Sequence, residues 1–145
     1  FAITGQTAAE IVYNRAGARK DNMGLTNWEN SPDGKILRSD VVVAKNYLNE
    51  KEIKDLNNLI NLFLDIAENN AERNIPMYMN DWKNEVENAL KVFHYEVLEG
   101  KGKISHKQAI DKAESEYEKY KVIQDKNYIS DFDKLLNETK AIENK

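Results

Sequence analysis

The chain has 145 residues, of which 41% are hydrophobic and 32% charged, and it contains no cysteine. This length suffices for one domain with a hydrophobic core and is too short to predict two. The lack of cysteine excludes disulfides and thiolate metal sites, and it is typical of a reducing, cytoplasmic setting. No run approaches the roughly 18 consecutive apolar residues of a membrane span, so we expect no membrane partner.

The net charge of −4 is unevenly distributed along the chain. Residues 49–100 contain five basic and eleven acidic residues, a net −6, whereas the segments before and after carry +1 each. An acidic middle argues against a fragment that wraps nucleic acid, because such a fragment needs a basic face. The basic residues of the N-terminal third are more typical of a solvated surface than of a functional patch; they are Arg15, Arg19, Lys20, Arg38 and Lys45.

The first element in the chain is a short helix. Thr7, followed three residues later by Glu10, is a capping box that predicts its start, and Gly17 predicts its end. A loop of about twenty residues without hydrophobic periodicity follows. Such a long loop is uncommon in a compact domain, and Leu25 and Trp28 predict that part of it is anchored to the core.

The next two segments are predicted to be helical. Ser39 is typical of an N-cap and predicts a short helix over residues 39–48, with a strand as the alternative because three valines follow. Asn49 and Glu52 form a second capping box, which predicts a long helix that ends before Pro76.

We expect this long helix, residues 49–74, to be the centre of the fold. Apolar residues recur along it at steps of three and four, and further leucines widen the apolar sector. We therefore predict that neighbours cover most of its circumference. On this interpretation Phe63 is buried, and Phe63→Ala should cost about 3–5 kcal/mol.

Three later helices complete the prediction. A periodic apolar line from Trp82 to Val97 predicts one that closes at Gly100. Ser105 begins another, whose thin, polar inner face is typical of an outer or partner-facing helix. Ser130 predicts the start of the last. The sequence thus indicates a single all-α domain over residues 1–145, an irregular helical bundle around a long central helix, with a long N-terminal loop.

Metal and cofactor chemistry find little support in the sequence. His94 and His106 lie on different predicted helices, and no HExxH motif is present, so we expect no metal site and no cofactor. Asp65, Glu68 and Glu72 are spaced along one side of the long helix. We interpret them as its solvated stripe, because a working carboxylate pair needs burial to separate its pKa values.

Polar and aromatic residues of the loop and of the following segment are the candidates for a site. Amides and aromatic side chains near a lysine are the usual lining of a polar ligand pocket, although Asn is also common in turns. The ligand-binding candidates are Asn22, Asn27, Trp28 and Asn46. The catalytic candidates are Lys45, Tyr47, Glu52 and His106.

Six motifs in order along the chain resemble the virulence RhuM family. They are FAITGQTAAEI at 1–11, NMGLTNW at 22–28, DVVVAKNYLNEKEIKDLN at 40–57, DIAENNAERNIPMYMNDW at 65–82, GKISH at 102–106 and EYEKY at 116–120. The resemblance implies a bacterial protein encoded near mobile or pathogenicity-associated regions, with an N-terminal part similar to helix-turn-helix DNA-binding regulators. This chain would then be the C-terminal portion. It implies no catalytic residue, because the family's activity is unassigned.

Two functional hypotheses follow. The first is a non-enzymatic helical module that self-associates or binds a protein partner, with DNA contacted only through the N-terminal region. The second is a toxin-like enzyme, acting on nucleic acid, with its site where the 22–28 loop meets Lys45, Tyr47, Glu52 and His106. The second hypothesis requires these side chains to converge around a cleft.

Overall fold

The computed structural model describes residues 1–127 and 131–143. Five α-helices follow one another in this part of the chain: α1 (Ala8–Arg15), α2 (Glu50–Glu72), α3 (Met79–Val92), α4 (His106–Asn127) and α5 (Asp131–Glu143). Two short 3-10 turns, Asp21–Gly24 and Ala44–Tyr47, lie between α1 and α2. Since no residue in the described ranges forms a strand, the predicted all-α class is confirmed. Ser130, the predicted cap of the last helix, lies outside these ranges.

Local capping sets the start of three helices. The Thr7 hydroxyl accepts the Glu10 backbone N–H at 3.2 Å, and the Asn49 side chain accepts the Glu52 N–H at 2.8 Å. Ser105 accepts the N–H of Gln108 at 3.1 Å in the same way. These bonds satisfy amides that have no partner inside the helix, and the three predicted starts are confirmed.

Two helices end at non-glycine residues in the left-handed conformation. Asn74 (φ 55°) follows α2, and His94 (φ 62°) follows α3. In each case a later backbone N–H reaches back over the last turn, and the Tyr95 N–H donates to the Leu90 carbonyl at 2.8 Å. This closed turn ends α3 at Val92, so the predicted continuation to Val97 is wrong.

Residues 39–48 are neither the predicted helix nor the alternative strand. They form a turn followed by the 3-10 turn at residues 44–47. The cause is Asp40, a buried carboxylate that accepts the backbone N–H groups of Leu37 at 2.7 Å and Glu29 at 3.1 Å. Because this side chain satisfies loop amides directly, the segment folds around it without regular secondary structure.

The hydrophobic core lies between α1, α4 and the segment from residue 16 to residue 48. Its least exposed large side chains are Met23, Ile36, Val41 and Tyr47. Leu25 and Trp28 are also buried, so the loop is anchored as their side chains predict. Packing of α1 on α4 is the main contact between helices in the described residues.

The long helix α2 contributes only its first turns to this core. Ile53 and Leu56 pack against it, half-buried, and Leu59 is buried farther along the helix. Beyond that point Ile60 is 45% exposed and Leu64 61% exposed. The prediction that neighbours cover most of the helix is therefore wrong for its second half.

Helix α4 has the opposite role to the one predicted. Ala109, Ala113 and Tyr117 are buried, and Ala113 has no exposed surface. The small alanines let α1 approach closely, and the Tyr117 hydroxyl donates to the Ile36 carbonyl at 3.0 Å. The helix expected at the periphery is thus a core helix.

Candidate functional site

A surface pocket forms where the 22–28 loop meets the start of α2. Its cavity measures about 530 Å³, and its lining consists of Thr26, Asn27, Lys45, Asn46, Leu48, Glu50 and Ile53. This volume lies in the range of sites for small ligands. The pocket contains two amides, one lysine and one carboxylate beside two aliphatic side chains, a lining suited to a polar ligand.

Hydrogen bonds to main-chain carbonyl groups hold the two walls of this pocket in place. The Asn46 carbonyl accepts the backbone N–H groups of Thr26 at 2.7 Å and Asn27 at 3.3 Å. The Thr26 hydroxyl lies 2.5 Å from the Leu48 carbonyl oxygen, and the Asn46 amide donates to the Asp40 carbonyl at 3.0 Å. The two walls, about twenty residues apart in the sequence, are therefore joined by two backbone bonds and by the Thr26 hydroxyl.

Three of the sequence-predicted residues meet in this pocket. Asn27, Lys45 and Asn46 all line it, and the side chains of Asn27 and Lys45 have no hydrogen-bond partner among the described residues. Trp28 lies elsewhere: it is buried, and its indole N–H donates to the Gly34 carbonyl at 2.9 Å. Asn22 is exposed in the left-handed conformation and lines a different cavity with Tyr120.

The other catalytic candidates have separate surroundings. The Tyr47 hydroxyl donates to the Val41 carbonyl at 2.5 Å inside the core, and burial raises the pKa of this phenol above its ordinary value. His106 is the exposed first residue of α4 and does not line the pocket. Lys45 is the only one of the four catalytic candidates that lines it, and a catalytic role for any of them stays a prediction.

Glu52 forms an ion pair with Arg15. The guanidinium donates to both carboxylate oxygens, at 2.7 and 2.8 Å, and also to the Tyr47 carbonyl at 3.0 Å. The hydrogen bond from Arg15 is the main reason that the pKa of Glu52 falls to about 2. The pair joins the end of α1 to the start of α2, so Glu52 holds the architecture next to the pocket.

The remaining ionisable candidates do not form a metal site. Asp65, Glu68 and Glu72 are all exposed on α2, as is His94 after α3. Across residues 1–127 and 131–143, no three His, Asp or Glu side chains are arranged to hold an ion. In the same residues no helix combines the length and the apolar character that a membrane crossing requires.

Two features of the surface escaped the sequence interpretation. The first is the rest of the pocket lining, which consists of Thr26, Leu48, Glu50 and Ile53. The only sequence signal for Thr26 and Glu50 is that they are adjacent to Asn27 and Asn49. A second pocket, between α1 and α4, collects Lys112 and Lys119 together with the loop residues Arg19 and Lys20. Because Lys112 and Lys119 are seven residues apart, they lie on one face of α4, a spacing visible in the sequence.

The model of the virulence protein RhuM family matches residues 1–129. The chain belongs to this family. The match to the RhuM family covers all of α1 to α4, and therefore both the core and the two pockets described above. Comparison of the chain with curated proteins and with solved structures gives no match.

Proposed function

We propose that this RhuM-family chain is a cytoplasmic, non-enzymatic association module whose α2–α3 segment pairs with the same segment of a second copy. In the full protein it would join the N-terminal DNA-binding-like regions that the family resemblance implies. The observation that carries the proposal is the apolar surface of this segment. Five of its side chains are more than half exposed: Leu64, Tyr78, Met79, Val92 and Phe93.

Exposed apolar side chains are more numerous in this segment than in the other described helices. Outside it, the large apolar side chains more than half exposed among the described residues are Val122 on α4, at 57%, and Leu135 and Ile142 on α5, at 58% and 73%. Monomeric proteins rarely leave large apolar patches in water, and such patches mark interaction surfaces. The concentration of exposed apolar side chains between residues 60 and 93 therefore supports a role in association.

The area is also of the right order for a second copy. Five large side chains exposed by more than half present on the order of 500 Å². Ile60 and Ile75, which are 45% and 41% exposed, add to it. Two such surfaces bury about 1,000 Å² in total, below the roughly 1,600 Å² of a standard interface and at the lower limit for a specific one, so we expect a weak dimer.

The salt dependence of association distinguishes pairing with a second copy from binding to a basic protein. Residues 49–100 carry −6, so two copies repel each other at low salt. Salt screens that repulsion and leaves apolar burial intact. Self-association should therefore strengthen as salt increases, whereas binding to a basic protein should weaken.

Sedimentation velocity and light scattering at about 50 mM and about 500 mM salt test this proposal. We expect twice the chain mass of 16.7 kDa at the higher salt. Leu64→Gln combined with Met79→Gln should restore the monomer, whereas the control Val122→Gln, at an apolar residue of α4 that is 57% exposed, should not. A monomer at all protein and salt concentrations would exclude the proposed pairing.

A second candidate function is the toxin-like enzyme acting on nucleic acid, with a site reduced to Asn27 and Lys45, because Tyr47, Glu52 and His106 do not line the cavity with them. The observation that favours it is that Asn27 and Lys45 line one cavity with free side chains. The test is to incubate the protein with single-stranded RNA and DNA and to compare Lys45→Ala with Lys54→Ala, an exposed lysine of α2. Cleavage lost only in Lys45→Ala would support this function, and intact substrates with the wild-type protein would reject it.

A further inference from the structure

A pocket of about 640 Å³ between the end of α1 and α4 concentrates positive charge on an otherwise acidic chain. We call it the basic pocket. Four of its lining residues are basic and one is acidic: Arg19, Lys20, Lys112, Lys119 and Glu116. The local charge is thus +3 against −4 for the whole chain, and a concave surface with an excess of positive charge concentrates anionic ligands.

Two of these lysines are fixed by the carbonyl groups at the end of α1. The Lys20 ammonium donates to the carbonyls of Asn14 at 3.3 Å and Arg15 at 3.0 Å. The Lys112 ammonium donates to the carbonyls of Tyr13 and of Ala16, the latter at 3.0 Å. The C-terminal end of a helix attracts cations, which explains why both ammonium groups lie there.

This anchoring leaves positive charge available to a ligand. An ammonium has three donors, and Lys20 uses two of them, so one N–H remains. Lys112 also lies 5.1 Å from the centre of the Tyr13 ring, which further fixes the position of its charge. Because both ammonium groups are already held in place, the two lysine side chains lose little conformational entropy when an anion binds between them.

The remaining side chains of the basic pocket differ in how far they are neutralised. Arg19 is exposed and has no ion-pair or hydrogen-bond partner among the described residues. Lys119 lies 3.8 Å from Glu116, at the outer limit of an ion pair. The other carboxylate oxygen of Glu116 accepts the Ala18 N–H at 3.1 Å, so this acid is partly engaged by the backbone.

Other basic residues of the N-terminal third are paired elsewhere. Arg15 binds Glu52, and Arg38 contacts Glu114 and Glu118 on α4. The patch expected to be merely solvated is therefore divided in the folded chain. Arg19 and Lys20 instead join two lysines that lie about ninety residues later in the sequence.

We propose that the basic pocket binds a phosphate group. A phosphate oxygen accepts the free N–H of Lys20, and the charges of Lys112, Arg19 and Lys119 surround the anion. The phosphate can be free, the monoester of a nucleotide, or the diester of a nucleic-acid strand, because the pocket recognises the shared anionic group. This site is separate from the apolar surface proposed for association.

The experiment is an NMR titration of the amide signals of the full chain at constant ionic strength. The probes are inorganic phosphate, a 5′-mononucleotide and a short single-stranded oligonucleotide, each compared with chloride. We expect residues 17–20 and 112–119 to shift with at least one phosphate probe and not with chloride. Which probe binds most tightly identifies the source of the phosphate.

The deciding variant is Arg19→Glu combined with Lys119→Glu, since neither side chain holds the fold together. Two reversed charges should weaken binding about tenfold. The matched control is Lys83→Glu combined with Lys121→Glu, which changes the net charge equally on exposed positions outside the pocket. Equal affinity in the two double variants, or no phosphate-dependent shifts in the wild-type protein, would overturn the proposal.

Discussion

Gly24 is the residue at which the loop comes closest to α1. Its φ is +87°, and a Cβ built there would lie 2.2 Å from the Arg15 carbonyl oxygen. Such a contact cannot be relieved by a rotamer change, because the obstructing atom belongs to the backbone. The Gly24 position therefore fixes the distance between the loop and the end of α1.

We predict that Gly24→Ala destabilises the fold by about 3 kcal/mol or more, combining left-handed strain with a steric clash. Gly100→Ala is the matched control, since Gly100 has a φ of +82° and a Cβ added to it would meet nothing within 4 Å. The control should lose only about 1–2 kcal/mol. Urea denaturation measures both values, and equal losses would contradict the close approach.

The Arg15–Glu52 pair makes stability depend on pH. The pKa of Glu52 is about 2 in the folded chain and about 4.3 when unfolded. A lowered carboxylate pKa contributes stability above the unfolded value, and this contribution is lost as pH falls from about 4.3 towards 2. The pair thus stabilises the fold at neutral pH, and this contribution is lost in acid, where Glu52 is protonated.

We expect Glu52→Gln to reduce the free energy of unfolding at pH 7 by about 1.5–3 kcal/mol, since it removes a charge-assisted, partly buried interaction. The variant should also lose stability less steeply than the wild type between about pH 4.3 and pH 2. Urea titrations across this range measure both effects. Glu50→Gln, which changes the neighbouring exposed carboxylate, is the control and should keep the wild-type slope.

At the scale of elements, the sequence predicts where helices begin better than what they pack against. Thr7, Asn49 and Ser105 are followed by helices because a capping bond joins residues three apart. Burial depends on partners far along the chain. Helix α2 has the more apolar sequence, yet α4 forms the core, because its small residues Ala109 and Ala113 admit α1.

We predict that Ala113→Leu destabilises the fold by about 1–3 kcal/mol, because the added atoms must enter a filled helix contact. Ala71→Leu is the control on α2, where Ala71 is exposed, and should change stability by less than about 0.5 kcal/mol. Thermal or urea unfolding compares them. A tolerated leucine at position 113 would mean that α4 does not pack against α1 as described.

Phe63 shows how burial changes a prediction made from periodicity. Its side chain is half-buried on α2, not enclosed. We therefore expect Phe63→Ala to lower the free energy of unfolding by about 2 kcal/mol, less than the roughly 3–5 kcal/mol typical of an enclosed ring. Met23→Ala, at a position with no exposed surface, should cost about 2–5 kcal/mol and is the reference in the same urea series.

The molecule as a whole divides its hydrophobic residues between a buried core and an exposed segment. The sequence predicts the all-α class, the capping residues and part of the polar pocket. The sequence predicts Asn27, Lys45 and Asn46 because amides and a lysine are typical of a polar loop site. They meet in the structure because hydrogen bonds join their two segments. The basic pocket was not predicted, because it combines residues about ninety positions apart and no local pattern encodes that distance.

We predict that this division appears in amide hydrogen exchange of the free chain. Amides of α4 between residues 109 and 120 should exchange only on global unfolding, since their side chains form the core. Amides of α2 and α3 between residues 60 and 92 should exchange through smaller openings, at least about tenfold faster. Uniform protection across all four helices would show that the α2–α3 segment is as firmly packed as the core.

The bond from Lys112 to the Ala16 carbonyl spans 96 residues. Helix α1 therefore meets its main packing partner only after almost the whole RhuM-matched region has been translated. In a nascent chain that stops short of α4, the segment from residue 16 to residue 48 can still pack on α1, but the side of this core that α4 covers stays exposed. The core therefore cannot close during synthesis until α4 has left the ribosome. We expect a protein shortened before residue 106 to be a substrate for chaperones and proteases.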